Sequence, residues 1–154
     1  MRNIAFCLLI AGGSANAATL EVAVSQGSQE PESYTYQLSD ERQTLDLRES
    51  ARYTVAVQDK ARKKDICREA EYRTGMVMTL RQVEEAGEGQ YKVEVVGQVS
   101  NLKSIEEKGA LSCGPNMVPL IENAAFSDTS MIEVGKPKVM VIDGKTTLLL
   151  TVKE

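Results

Sequence analysis

The chain has no histidine. That removes the usual general base and makes a Ser-His-Asp or Cys-His arrangement impossible. An excess of positive charge is missing too: 18 Lys and Arg stand against 22 Asp and Glu, for a net charge of −4. Phosphate backbones are bound by basic surfaces, so nucleic acid is not an expected partner. There is no glycine-rich phosphate loop; the glycines read as turn residues. No run beyond the first residues approaches the roughly 20 apolar positions of a membrane helix, so the rest of the chain would meet a membrane only through β-strands. The acid pairs Glu84-Glu85 and Glu106-Glu107 fall in stretches that read as surface loops. Solvated charge explains them better than a shielded catalytic pair does. No catalytic residue, cofactor or metal ligand is expected, and the protein is not expected to be an enzyme.

What is present starts with a three-part leader. Arg2 is followed by the apolar run Ile4-Ala5-Phe6-Cys7-Leu8-Leu9-Ile10-Ala11, and Ala15-Asn16-Ala17 has small-x-small spacing with cleavage expected before Ala18. Residues 1–17 therefore read as a secretory signal and 18–154 as one exported domain. Losing the leader removes Arg2 and takes the net charge from −4 to −5. Of the three cysteines, Cys67 and Cys113 remain. An even count in an exported chain points to a disulfide between them, closing about 45 residues and stabilising by about 3–4 kcal/mol on the chain-entropy model.

The rest alternates apolar and polar. Leu20, Val22 and Val24 share one face of a first strand, and Tyr34, Tyr36 and Leu38 one face of a second. Leu45, Leu47, Ala51, Tyr53, Val55 and Val57 share a third face, with Glu49 as an expected bend or bulge. The stretch 59–68, with Lys60, Arg62, Lys63 and Lys64, reads as a solvated loop or one helical turn. Next comes a hairpin. Met76, Met78 and Leu80 line one face of its first strand; Tyr91, Val93, Val95, Gly97 and Val99 line one face of the return. Gly97 implies a bulge or a close backbone approach. Residues 103–115 read as a polar connection, and Pro119 places the run 117–121 at an edge or in a loop. Last, Asp143-Gly144 between apolar runs is a type I′ hairpin signal. A two-residue loop would pair Val139 with Leu148 and place Val139, Val141, Leu148 and Leu150 on one face, with Met140 and Leu149 on the other. The expected fold is all-β: an antiparallel sandwich or partly closed barrel of seven or eight strands.

The order of these elements carries a resemblance. Gly75-Met76-Val77-Met78-Thr79-Leu80, then Tyr91 to Val96, Val99-Ser100-Asn101-Leu102, Val118-Pro119-Leu120-Ile121, Thr129 to Val134 and Val141-Ile142-Asp143-Gly144 follow one another. Over 75–142 this resembles the C-terminal, membrane-channel region of bacterial secretins, the outer-membrane proteins of type II and type III secretion systems and type IV pili. The resemblance implies a stand-alone secretin-like β-module in the periplasm or outer membrane of a Gram-negative bacterium, since a chain of this length has no room for the periplasmic domains of secretins. In that family, strands of neighbouring subunits pair into one barrel.

Together these readings lead to an exported, non-enzymatic envelope protein, a structural or accessory part of a secretion or surface assembly. Its expected partners are proteins of that assembly or further copies of itself. The expected strand-pairing interface is Met76, Met78, Leu80, Tyr91, Val93, Val95, Val139, Val141, Leu148 and Leu150. The alternative is a soluble periplasmic β-sandwich that binds a small apolar ligand or a peptide.

Overall fold

The computed structural model describes residues 18–154 apart from 29 and 86; the expected leader lies outside the described residues. Eight strands follow in order: β1 Thr19–Gln26, β2 Glu32–Gln37, β3 Gln43–Asp59, β4 Lys64–Glu85, β5 Gln90–Leu111, β6 Gly114–Glu133, β7 Lys138–Val141 and β8 Thr146–Lys153. They form two antiparallel sheets, β2-β1-β8-β7 and β3-β4-β5-β6, packed as a sandwich. The all-β expectation holds, and the architecture is the sandwich, not a closed barrel.

Alternation builds the core. Leu20, Val22 and Val24 of β1 lie opposite Val152, Leu150 and Leu148 of β8, and all six are buried. Facing them are Leu45 of β3, Met76, Met78 and Leu80 of β4, Val93, Val95 and Val99 of β5, and Ile132 of β6. Each such side chain stabilises the fold by about 1.5–3 kcal/mol relative to leaving it exposed. Gly97 is where a close approach is required. A Cβ there would lie 2.5 Å from the Phe126 ring and 2.6 Å from the Val77 carbonyl oxygen, so its missing side chain lets Phe126 lie against the core.

The two sheets differ in length. The first is built of strands of eight residues or fewer, whereas β3 to β6 run 17 to 22 residues. At about 3.4 Å per residue, only the lower half of the long sheet can be covered by the short one. Pairing of β4 with β5 runs from Glu85 opposite Tyr91 to Gly75 opposite Ser100 and stops there. Gly75 has φ +112°, and a Cβ on it would fall 2.4 Å from the Leu47 carbonyl oxygen. Beyond this point the β3–β4 and β5–β6 hairpins continue as two separate ribbons, here called arms.

Several expectations are corrected. Of the stretch 59–68 only 60–63 form a turn: β3 runs to Asp59 and β4 begins at Lys64. Residues 103–115 are also strand, apart from the turn at Ser112 and Cys113. Polar side chains suffice there because the backbone groups are met by the neighbouring strand while the faces meet solvent. No bulge marks Glu49, which pairs regularly with Thr74; the backbone irregularity is at Gly75 on the partner strand. Pro119 does lie on an edge strand, β6.

The terminal hairpin is shifted by one residue. Val139 pairs with Leu149 and Met140 with Leu148, around a three-residue loop, 143–145. The Asp143 carboxylate accepts hydrogen bonds from the amides of Lys145 (3.0 Å) and Thr146 (2.6 Å), which fixes the longer loop. Met140, Leu148 and Leu150 consequently face inward, while Val139, Val141 and Leu149 face out.

Candidate functional site

Seven of the ten residues expected to form a strand-pairing interface are core: Met76, Met78, Leu80, Val93, Val95, Leu148 and Leu150. Tyr91 is half-buried against that core. The strands β4 and β5 are also paired on both sides across this region. Their backbones offer no open edge there. Only Val139 and Val141 are exposed, at 55% and 66%.

These two lie on β7, an outer strand of the short sheet. The Ile142 amide bonds the Thr146 carbonyl. By antiparallel alternation, the backbone groups of Met140 and Lys138 also turn toward β8, and those of Val139 and Val141 turn to the open side. Across from this edge lies β6, an outer strand of the long sheet. Between them is an open groove of about 470 Å³, lined by Phe126, Asp128, Lys138, Met140 and Ile142 among others. The groove thus combines an apolar floor with a strand edge that still has hydrogen bonds to give, the requirements for adding an extended segment.

The arms make the second feature. Cys67 of β4 and Cys113 at the β5–β6 turn form a disulfide with Cα atoms 5.8 Å apart, as expected from the cysteine count. Around it, the Asp65 carboxylate accepts hydrogen bonds from the Ser112 hydroxyl (2.6 Å) and amide (3.0 Å). Those bonds, the hydroxyl's first, hold its pKa below the usual carboxylate range. The Ala56 amide donates to Asn116 Oδ1 at 3.2 Å, so β3 lies along β6 in the arms.

A third feature sits at the foot of the β3–β4 arm. An open pocket of about 500 Å³ is lined by Val24, Gln26, Glu30, Pro31, Glu32, Leu47 and Glu49. The Tyr34 hydroxyl donates to Glu32, and that bond, with burial, pushes its pKa up to about 12. Among the described residues, no group of three or more His, Cys, Asp or Glu is placed to hold a metal ion. Sequence reading missed both the foot pocket and the groove, because each joins strands distant in the chain.

Comparison of the chain with protein-family models, with curated proteins and with solved structures finds no match.

Proposed function

We propose that the protein is an exported, non-enzymatic component of an envelope assembly, secretin-like in its strand order, that works by docking another polypeptide strand. The observation that carries this reading is the open edge of β7. Val139 and Val141 present both apolar side chains and unpaired backbone groups beside the groove shared with β6. An added strand would extend the short sheet and, with it, the apolar outer face of Val139, Val141 and Leu149.

The test is the size of the native particle, measured by light scattering after size-exclusion chromatography, with and without detergent. The expected result is an assembly that Val141→Pro disperses while circular dichroism stays unchanged. A wild-type monomer in the osmotic-shock fraction overturns the reading. It would put a soluble binding module for a small apolar ligand or peptide ahead.

A further inference from the structure

The inward face of the long sheet does not stop where the short sheet ends. Leu45 and Leu47 belong to the core, and the same face of β3 continues through Glu49, Ala51, Tyr53, Val55 and Val57. Opposite them on β4 are Thr74, Tyr72, Ala70, Arg68 and Ile66. The β1 strand ends at Gln26, level with Leu47 and Glu49 around the foot pocket, so no strand of the short sheet extends over this stretch. Cys67 and Ala56, which meet the other arm, lie on the opposite face of the ribbon. Val57 and Ile66 are exposed, and the Tyr53 and Tyr72 rings lie 6.0 Å apart on the uncovered side. Its one cation, Arg68, can lay its aliphatic stem along that face and turn its charge to the rim.

Charge is segregated along the same ribbon. The tip carries Lys60, Arg62, Lys63 and Lys64. Asp59 caps the turn through the amides of Ala61 and Arg62, and Asp65 is engaged with Ser112. The foot carries Glu30, Glu32 and Glu49. Its neighbouring cation, Arg48, is held by Asp46, and Lys145 lines a different groove with Lys103. Among the described residues, Lys60, Lys63, Lys64, Glu30 and Glu49 make no ion pair within the chain.

We propose that this face seats a second copy of the chain, laid antiparallel, with each basic tip against the other copy's acidic foot. A two-fold axis near Thr54 brings residue 60 of one copy level with residue 49 of the other, and Tyr53 against the other copy's Val55 and Val57. Both charge contacts are made twice, as an isologous interface requires. From Glu49 to Asp59 the arm spans roughly 34 Å, and two strands give it a width of roughly 10 Å. The contact therefore buries on the order of 700 Å² in total, below the roughly 1,200 Å² of a stable complex. The dimer is accordingly weak, reversible and salt-sensitive.

The experiment is sedimentation equilibrium of the purified protein over a concentration series. The expected dimer dissociates at least about tenfold more readily at 500 mM than at 50 mM salt. In the Val141→Pro background, which removes docking at β7, a tip variant (Lys60→Glu, Lys63→Glu, Lys64→Glu) and a foot variant (Glu30→Lys, Glu49→Lys) are each monomeric, and mixing the two restores a heterodimer. Circular dichroism and melting matched to wild type show that the variants fold. Val57→Asp weakens the dimer at every salt concentration, whereas Met131→Asp, exposed on the outer face of the long sheet, leaves it unchanged. A wild-type monomer up to about 1 mM at low salt overturns the proposal. So does a dimer indifferent to both charge reversals, or a monomer whose tip serves only to bind anionic vesicles.

Discussion

Cys67 and Cys113 are joined by a disulfide beyond the point where β4 and β5 part at Gly75 and Ser100. The cross-link therefore secures the arms and does not pass through the sandwich core. Its removal should be felt unevenly. Cys67→Ser with Cys113→Ser should lower global stability by up to about 3–4 kcal/mol, the loop-closure value for a separation of 46 residues. Hydrogen exchange should show amides of the arms losing protection first, with Val22, Met78 and Leu150 protected until global unfolding. Uniform loss of protection would contradict this division.

The shifted register of the terminal hairpin makes a paired prediction. Leu148→Ala removes a fully buried side chain and should cost about 2–5 kcal/mol in urea unfolding. Val141→Lys, on the outward face, should change stability by no more than about 0.5 kcal/mol. Similar costs for the two would return both residues to one face.

Gly97→Ala places a methyl group against the Phe126 ring and the Val77 carbonyl. Overpacking of this kind should cost about 1–3 kcal/mol. Adding Phe126→Ala should not restore stability, because the Val77 backbone contact remains and the Phe126 packing is lost. Calorimetric melting of the single and double variants is the check.

Asp65 sets a pH dependence. Hydrogen bonds from Ser112 depress its pKa in the folded state. A group depressed on folding contributes stability that is present above its unfolded pKa and is lost as pH falls through the folded one. Wild type should therefore lose more stability than Asp65→Asn between neutral pH and the acid side of the carboxylate range. Parallel melting curves for the two proteins across that window would exclude the coupling.

Asp143→Ala removes the acceptor for the Lys145 and Thr146 amides. The expected cost is about 1 kcal/mol. Chemical shifts should change most for the loop 143–145 and for Ile142, read by NMR.

The lower half of the molecule was legible because burial on one side imposes alternation: Met76, Met78 and Leu80, or Val93 and Val95, announce both strand and face. The arms were not. Asp65, Arg68, Glu69 and Glu71, or Lys103 to Lys108, sit on strands with both faces near water, so no hydrophobic period marks them. In the terminal hairpin, Asp143-Gly144 suits a two-residue turn and a three-residue loop alike; the Asp143 carboxylate decides between them only once folded. The candidate interface was chosen by apolarity, and apolarity led mostly to core. What distinguishes Val139 and Val141 is a shift of one residue, invisible without the partner strand. The disulfide was legible because two cysteines allow one internal pairing.

The fork at Gly75 and Ser100 also has a mechanical consequence. Forces that splay the arms are borne by a covalent tie near their far ends, so the ladder below is shielded from peeling. Cutting that tie with a reductant turns a braced frame into two free levers, and the junction becomes the place where tearing starts.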